Sequence, residues 1–419
     1  MTGAPEAELL PEIEKRLGIK LTLIEEGRAR IIVPDLKAYA DAHGHVDPAR
    51  APVFYNPRMA ANRDIAVLAA IAYSELTGRT ELKVCEPLCS TGVRGIRYAL
   101  EVPEVARVVM GDVNELAVEL AKANIALNKV QDKVEVRHQE ANALLALHAR
   151  RGTRFNIVDI DPFGCPMPFV LNAVRALGNR GMLAVTATDL PPLFGEHPRA
   201  CRRKYASIPL RAPFARELGL RILVGAVVRQ AAMLEVGAKV LMAYYMGHYV
   251  RAYFMIRVSS AAADEALDRI GYAGYCSRCG ARWLERGFIP ETRCPKCGKP
   301  AAVAGPLWAG DLWDRGFLEA LSRAAGRAKL ADPRRVSRLL EKLRQEIGMP
   351  PLYYRTDEAA FRKKWGREPA VADVIAKLRE MGFAASPTHV DSKGIRTDAP
   401  PEAFLEAGEA ALREAGGPH

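Results

Sequence analysis

Residues 82–112 read LKVCEPLCSTGVRGIRYALEVPEVARVVMGD, and the fold class follows from this stretch. It opens with a short apolar run that ends at Leu88, turns through a segment with two glycines, and continues with helical spacing to Leu100. A second apolar run, rich in valine, then ends at Asp112. A strand, a helix and another strand in this order predict a βαβ unit whose two strands lie parallel in one sheet.

The same alternation continues on both sides of this stretch. Further helices are predicted at 65–76, 115–128 and 169–177, and further strands at 133–138, 155–161 and 181–188. We therefore predict an α/β fold with a mostly parallel, doubly wound, Rossmann-like sheet. In such a sheet ligands bind beyond the carboxyl ends of the strands, so the chemistry is expected there. Upstream, residues 19–33 predict two strands joined by a Glu-Glu-Gly turn.

The composition is that of an ordinary globular protein, with 49% hydrophobic and 26% charged residues. The first twenty residues contain four glutamates and lack the apolar core of a secretion signal. The longest apolar runs, such as 222–228, are bounded by arginines and are too short to cross a bilayer. We therefore expect a cytoplasmic protein that has no membrane partner, and no obligatory protein partner is evident.

The positive charge is concentrated in one region. The net charge is +11, and residues 199–304 alone hold 18 lysines and arginines against 7 acidic residues. Such a concentration is typical of a protein that docks on a phosphate backbone. A generally basic, well-solvated surface would give the same count, so charge by itself leaves both interpretations open.

A change of composition at 259–265 predicts a domain boundary. We expect one domain at 1–265, which contains the predicted sheet and a β-rich N-terminal extension. A C-terminal α+β domain at 266–419 then includes a cysteine-rich segment at 272–304.

Four of the eight cysteines form two CxxC pairs, Cys276 with Cys279 and Cys294 with Cys297, separated by 14 residues. In a chain without a secretion signal, this pattern indicates metal ligands rather than disulfides. Each CxxCG turn directs two thiolates at one tetrahedral ion, and four thiolates leave no open position for substrate. The segment therefore predicts a zinc ribbon with a structural Zn²⁺. A rubredoxin-like iron site has the same ligands but no redox context here.

The loops after the first three strands of the sheet predict a nucleoside cofactor. The turn at 90–95 brings backbone N–H groups close to a ligand, and Arg94 adds a cation that suits a methionine carboxylate better than a pyrophosphate. Asp112 ends the next strand, where an acid accepts hydrogen bonds from ribose hydroxyls. After the third strand, Glu140 and Ala141 can offer a carboxylate or backbone amides to an adenine edge. These loops do not choose between S-adenosylmethionine (SAM) and a nicotinamide dinucleotide.

The fourth strand runs into Asp161-Pro162-Phe163-Gly164, which resembles the Asp/Asn-Pro-Pro-Tyr/Phe motif of amino-group methyltransferases. Asp161, with its own or the Pro162 carbonyl, can accept both N–H bonds of an arylamine and so expose the nitrogen lone pair to a methyl donor. Phe163 offers a face on which a flipped base can stack, and proline stiffens the turn. Upstream, Phe54 can complete a sandwich around the base. Arg63 can reach the cofactor carboxylate.

Four motifs in this order, FYNPRMAANRD (54–64), STGVRG (90–95), DIDPFG (159–164) and VTATD (185–189), are similar to the tRNA guanosine-26 N2-dimethyltransferase family. The segment ASPTHVDSKGIRTDAP (385–400) resembles the closing segment of that family, so the resemblance covers nearly the whole chain. It implies a class I SAM-dependent methyltransferase fold, a tRNA partner, and one or two methyl transfers to guanine N2.

The resemblance also implies roles for individual residues. Asp161 would be the catalytic acceptor, with Phe54 and Phe163 as the base sandwich. The residues that would hold SAM are Arg63, Arg94, Asp112, Glu140 and Ala141. This sequence departs from the family at Cys89-Ser90, at Glu86 where Asp is common, and at Cys165 where Ser is usual.

Two rival functions remain at this point: an amino-methyltransferase acting on DNA adenine or another RNA guanine, and a non-catalytic zinc-ribbon protein that binds RNA. Basic segments outside the sheet are relevant to both of these rival functions. Arg202-Arg203-Lys204 is expected to hold RNA backbone. Six cations on the surface of the ribbon can follow phosphates: Arg278, Arg282, Arg286, Arg293, Lys296 and Lys299. At 361–367 we expect an amphipathic helix that uses Phe361 and Trp365 as core contacts, in preference to RNA stacking.

Overall fold

A computed structural model describes residues 4–41 and 43–415 of the chain. The chain divides into two compact units. The first comprises residues up to 161 together with 169–184 and 319–337, and the second comprises 162–168, 185–318 and the chain from 338 onward.

The helices are α1 (Ala4–Leu17), α2 (Ala60–Thr77), α3 (Val93–Glu101), α4 (Glu115–Leu127), α5 (Ala141–Leu147), α6 (Met167–Ala176), α7 (Leu190–Leu193), α8 (Pro198–Tyr205), α9 (Ala215–Ala232), α10 (Ser260–Leu267), α11 (Arg315–Ala325), α12 (Pro333–Glu346), α13 (Thr356–Lys363), α14 (Val371–Glu380) and α15 (Pro401–Ala415). Short 3-10 helices lie at Leu36–Tyr39, Pro48–Arg50 and Pro57–Met59.

The strands are β1 (Leu21–Glu26), β2 (Ala29–Pro34), β3 (Leu82–Glu86), β4 (Val105–Asp112), β5 (Val134–His138), β6 (Phe155–Ile160), β7 (Leu177–Ala187), β8 (Val236–Met246), β9 (Tyr249–Val258), β10 (Ile270–Tyr275), β11 (Arg282–Arg286), β12 (Ala302–Trp308), β13 (Tyr354–Arg355), β14 (Ala385–Pro387) and β15 (Gly394–Thr397).

The first unit contains the predicted parallel sheet. Strand β4 pairs in parallel with β3 and with β5, and β3 pairs in parallel with β6. The strands lie in the order β5-β4-β3-β6-β7. Val84, Val108 and Ile157 are completely buried in the centre of this sheet, as apolar strands covered on both faces must be. The predicted alternation of strands and helices from residue 64 to 188 is confirmed, and α5 is a helix that the sequence did not reveal.

The predicted N-terminal strand pair is also confirmed, as β1 and β2. Its turn differs slightly from the prediction, because Glu25 and Glu26 belong to β1 and the chain reverses at Gly27. Gly27 has a φ of +61°, and a Cβ atom there would lie 2.3 Å from Oε1 of Glu101. Only glycine allows the hairpin to approach α3 so closely.

In the second unit, β8 and β9 form an antiparallel hairpin that packs on α9. Two small antiparallel sheets follow, β11-β10-β12 and β13-β15-β14. Helices α14 and α15 pack beside the latter sheet, around Leu378, Phe404 and Ala407. These mixed helices and strands fit the α+β architecture predicted for the C-terminal part.

The domain boundary predicted at 265/266 falls inside α10 and stays a prediction. The outer limits of the two predicted domains, residues 1 and 419, lie outside the described residues. Helix α12 begins at Pro333 and buries Val336, Leu339 and Leu343. Among the described helices, none combines the length and the hydrophobicity that crossing a membrane requires.

Candidate active site

The candidate site lies at the carboxyl edge of the parallel sheet in the first unit. Glu86 ends β3, Asp112 ends β4, and Asp161 follows β6. Because these strands are parallel neighbours, their last residues meet at one edge of the sheet. The structure therefore brings together the strand-end acids that the sequence singled out.

Arg94, in the first turn of α3, lies among these acids. Its side chain is 3% exposed, and Nη2 donates to the Asp161 carboxylate. Nε lies 3.3 Å from Oε1 of Glu86. Nη1 lies 2.9 Å from Oδ1 of Asn62 and 3.5 Å from Oδ2 of Asp159. The guanidinium thus fixes the orientation of the Asp161 carboxylate, which remains partly exposed.

Two members of this cluster, Asn62 and Asp159, were not predicted from the sequence. Both are completely buried. Oδ2 of Asp159 also accepts a hydrogen bond of 2.7 Å from the Tyr98 hydroxyl. Asn62 lies within the FYNPRMAANRD motif, but nothing in the pattern distinguishes its side chain from a neighbour that packs elsewhere.

Burial raises the pKa of Glu86 to about 8, against the opposing charge of Arg94 and with the help of repulsion from Asp159. Its Oε2 accepts a hydrogen bond of 2.9 Å from the backbone N–H of Gly95. A Cβ atom on Gly95 would lie 2.3 Å from Sδ of Met110 and 3.1 Å from that carboxylate oxygen. Glycine therefore allows α3 to begin directly over the sheet.

Asp112 is bound by backbone N–H groups from two loops. Oδ2 accepts from Ser90 at 2.8 Å, and Oδ1 accepts from Asn114 at 2.9 Å. Ser90, with a φ of +48°, also donates its hydroxyl to the carbonyl of Phe54. Each carboxylate oxygen of Asp112 keeps acceptor capacity for a ribose hydroxyl, because an ionised carboxylate offers about four lone-pair sites.

Glu140 lies exposed at the N-terminus of α5, and its carboxylate accepts from the backbone N–H of Ala143 at 2.9 Å. Ala141, the first residue of that helix, is 2% exposed. The loop expected after β5 is therefore a capped helix start, where backbone N–H groups are left without partners in the helix itself.

Arg63 is held by the β1–β2 hairpin. Nε and Nη2 donate to the two carboxylate oxygens of Glu26 at 2.6 and 2.5 Å, and the Tyr55 hydroxyl donates to the same carboxylate. Burial by itself would raise the pKa of Glu26, but the charges of Arg63 and Arg97 hold it at about 2. The sequence did not reveal Glu26 as the partner of Arg63.

The aromatic residues proposed for base stacking lie in different units. Phe54 is half-buried in the first unit, whereas Phe163 belongs to the second and is 64% exposed. The turn after Phe163 is closed by Gly164, with a φ of +77°. Gly164 donates to Oγ1 of Thr188 at 2.7 Å and accepts from the Thr188 N–H at 3.0 Å. Thr188 lies in the VTATD motif, and the sequence pattern indicated no role for it.

The four predicted metal ligands converge in the second unit. The sulfur atoms of Cys276, Cys279, Cys294 and Cys297 all lie within 4.8 Å of one another. The 276–297 and 279–294 sulfur pairs are 3.7 and 3.6 Å apart. Four Zn–S bonds of about 2.3 Å in a tetrahedron require sulfur atoms roughly 3.8 Å apart. The donor set therefore fits a zinc ion.

The structure corrects one expectation about the ribbon cations. Arg282 does not face solvent: its side chain is 4% exposed, donates to the Tyr353 carbonyl and to Glu358, and stacks on the Tyr354 ring at 4.0 Å. Lys296 pairs with Glu402. The exposed cations of the ribbon are Arg278, Arg286, Arg293, Lys296 and Lys299.

Two core contacts were expected at 361–367, and the structure confirms one of them and contradicts the other. Trp365 packs into the core around α15, against Gly408, as expected. Phe361, however, is 86% exposed. The two residues do not share a helical face, because Lys364 adopts a φ of +55° and ends α13 before Trp365.

Comparison with known proteins gives one consistent picture. Residues 27–408 match the model of a family described as N2,N2-dimethylguanosine tRNA methyltransferase. The chain is 38% identical over 404 residues to the tRNA (guanine(26)-N(2))-dimethyltransferase of Pyrococcus horikoshii, covering 93% of this chain and 98% of that protein. It is 39% identical over 378 residues to the protein of the same name from Methanothermobacter thermautotrophicus, covering 90% and 95%.

A solved structure is also similar. Trm1 from Pyrococcus horikoshii in complex with S-adenosyl-L-methionine aligns with a TM-score of 0.80 at 38% identity. The alignment covers 92% of this chain and 99% of that chain, so the likeness is not confined to the parallel sheet.

Proposed function

Because this chain belongs to the family of N2,N2-dimethylguanosine tRNA methyltransferases, we propose that it transfers one or two methyl groups from SAM to N2 of guanosine 26 in tRNA. The similar structure that contains S-adenosyl-L-methionine supports SAM as the donor, and the parallel sheet is consistent with a class I methyltransferase. The observation that carries the proposal is the Asp161 carboxylate, held by Arg94 at the end of β6 and followed by Pro162-Phe163.

The strand-end loops of the first unit would hold the cofactor. Asp112 would accept the ribose hydroxyls, and Glu140 with Ala141 would lie at the adenine. Arg63 and Arg94 would supply positive charge for the methionine carboxylate. When bound, SAM supplies an electrophilic methyl group on a sulfonium.

The protein's own residues would activate the amine. Guanine N2 is a poor nucleophile because its lone pair is delocalised into the ring. Asp161 and the Asp161 or Pro162 carbonyl would accept its two N–H bonds, draw the nitrogen toward tetrahedral geometry and free the lone pair. As the methyl group passes from the sulfonium to N2, breaking the S–CH₃ bond and leaving a neutral thioether, Asp161 would take the proton that N2 loses. Stacking of the flipped base on Phe54 and Phe163 would keep the nitrogen in line.

The remaining features complete the proposal. We propose a structural Zn²⁺ on the four clustered cysteines, a tRNA-binding role for residues 266–419, and a cytoplasmic location without an obligatory protein partner. The closed thiolate set supports a structural metal, because it leaves no ligand position for substrate.

The direct test uses an unmodified tRNA transcript with guanosine at position 26. Incubation with the full-length protein and SAM should yield N2-methylguanosine and N2,N2-dimethylguanosine, measured by mass spectrometry of nucleosides. A matched transcript with adenosine at position 26 should stay unmodified. Methylation of adenine, or of another guanine in both transcripts, would assign a different amino-methyltransferase activity. Absence of any methylation together with absence of SAM binding in calorimetry would indicate a non-catalytic RNA-binding protein.

A further inference from the structure

Helix α8 has two faces of opposite character. Cys201 and Tyr205, one turn apart, are 0% and 1% exposed. Arg199, Arg202 and Arg203 are all exposed. Residues at positions i, i+3 and i+4 share one side of a helix, so the three guanidinium groups form one surface, which we call the arginine face. Within residues 4–41 and 43–415, these three side chains make no ion pair or hydrogen bond.

The opposite side of α8 is firmly held within the second unit. The Tyr205 hydroxyl donates to Oδ1 of Asp189, and Nζ of Lys204 lies 2.9 Å from Oδ2 of the same carboxylate. The guanidinium of Arg229 donates to the carbonyls of Tyr205 and Ala206, at 2.8 and 3.1 Å, and so caps the C-terminal end of the helix. The arginine face therefore lies on a helix that contacts on its opposite side hold in place.

The contacts that hold α8 also connect it to the loop that contains Phe163. Asp189 directly follows Thr188, which makes two hydrogen bonds with Gly164. A continuous set of contacts thus ties α8 to the DPFG turn, and whatever the arginine face binds is held at a fixed position relative to that turn.

The surrounding charge favours a polyanion. Residues 199–304 hold the surplus of positive charge, but several of these cations are already committed inside the protein. Arg221 pairs with Glu217, and Arg282 pairs with Glu358. Among the described residues the arginine face has no such acidic partner, and guanidinium groups bind phosphate oxygens through paired, charge-assisted hydrogen bonds.

Resting on the function proposed above, we propose that the arginine face of α8 docks the phosphate backbone of the substrate tRNA beside the DPFG turn. Phosphate contacts fix register without reading sequence. This surface would set the position of the target nucleotide relative to the turn at 162–164 in the same unit, whereas the stacking residues would hold the base itself.

The test is an Arg202→Ala/Arg203→Ala variant of the full-length protein, with binding of an unmodified tRNA transcript measured by fluorescence anisotropy over a range of salt concentrations. Loss of two phosphate contacts should weaken binding about tenfold or more and lower the slope of log K against log [salt] by about 2. SAM affinity, measured by calorimetry, should stay within about twofold of wild type. An Arg202→Lys/Arg203→Lys variant should retain the salt slope, because it retains the charge.

A matched control removes two exposed arginines from the first unit, Arg150→Ala/Arg151→Ala, with the same change of net charge. An equal loss of tRNA affinity in this control would show a general charge effect and would overturn the proposal, as would wild-type affinity in the α8 variant. If the melting temperature of the alanine variant is well below wild type, an Arg202→Gln/Arg203→Gln variant replaces it, because glutamine removes both charges but keeps a polar side chain, and the same loss of salt slope is expected. If wild-type protein methylates guanosine 26 and the α8 variant binds tRNA normally, the docking surface alone is refuted. If wild-type protein makes no product but binding still depends on α8, only the activity assignment fails.

Discussion

At the scale of single residues, Asp161 combines a fixed carboxylate with partial exposure. Arg94 determines its orientation, while the acid keeps an edge open toward solvent. Replacing it with asparagine preserves the shape of the side chain but removes the negative charge and the ability to take a proton. Because Arg94 also contacts Glu86 and Asp159, the fold around it should survive the change.

We predict that Asp161→Asn lowers kcat by about 10²–10⁴-fold, the usual contribution of a positioned acid–base group. SAM affinity should change little, since the proposed role is toward the base. Single-turnover methylation of a tRNA transcript and calorimetry with SAM measure the two quantities. Asp132→Asn, an exposed acid in a turn, is the matched control and should behave as wild type. Substantial turnover by the Asp161 variant would remove it from the mechanism.

Glu86 makes the stability of the protein depend on pH. Its pKa is raised to about 8 in the folded protein, compared with the ordinary value of 4.5 for a glutamate. The folded state therefore binds the proton more tightly than the unfolded state. The resulting stabilisation is complete below pH 4.5 and is lost as pH rises through about 8.

We predict that Glu86→Gln flattens this dependence, because glutamine is neutral throughout and can still accept from Gly95. Thermal melting between pH 5 and pH 9 should show wild-type stability falling relative to the variant as pH increases. The Glu119→Gln variant, which changes a partly exposed acid on α4, serves as control. Parallel melting curves for wild type and Glu86→Gln would contradict the assignment of a raised pKa.

At the scale of elements, the cysteine-paired segment depends on few apolar contacts. Its buried cluster consists of Cys276, Ala281 and Cys294, with partly buried Cys279, Cys297 and Ala301 around them. So small a core does not hold the two CxxC turns in place by itself. A metal ion bound by four thiolates would supply the missing stability.

We predict that Cys276→Ser releases the bound metal and lowers the melting temperature of the second unit. Metal content measured by elemental analysis should fall from one zinc per chain to well below one. The Cys165→Ser variant, in which the substituted residue lies outside the cluster, should keep the metal content of wild type. Retention of full metal content and stability by the Cys276 variant would refute a structural metal, and iron in place of zinc would correct only the identity of the ion.

At the scale of the whole molecule, the chain leaves the first unit and returns to it at 319–337. The returning segment is fixed by Asp64, which is completely buried on α2. Its two oxygens accept the backbone N–H groups of Ala331 and Asp332 at 3.0 and 2.7 Å. Nη2 of Arg97 lies 2.6 Å from the same carboxylate. One buried acid thus joins elements that are 267 residues apart.

We predict that Asp64→Asn lowers the free energy of unfolding by about 3–5 kcal/mol, because Arg97 loses a buried partner and one N–H acceptor becomes a donor. Denaturant unfolding measures the loss. Hydrogen exchange should accelerate at 319–337, since the segment is no longer held at Ala331 and Asp332. If exchange in that segment is unchanged, Asp64 does not anchor it.

Short-range regularities of the sequence are sufficient to predict the sheet, the strand-end loops and the cysteine cluster. They are apolar runs of strand length, helical spacing, a strand-ending acid, and two CxxC pairs. Local backbone geometry imposes such patterns, so Asp112, Asp161 and the four cysteines stand out as candidate site residues in the sequence itself. Membership of the family likewise follows from four short motifs in order.

The partners of the buried charges, in contrast, depend on tertiary packing. Arg63 faces Glu26 from 37 residues away, and Arg94 reaches Asp161 across 67 residues. Arg282, expected in solvent, is buried, while Phe361, expected in the core, is exposed. The sequence around a charged or aromatic side chain does not indicate which distant element will bury it and remove its water. The free energy of that desolvation depends on the complete packing, and so the partners appear only when the chain is folded.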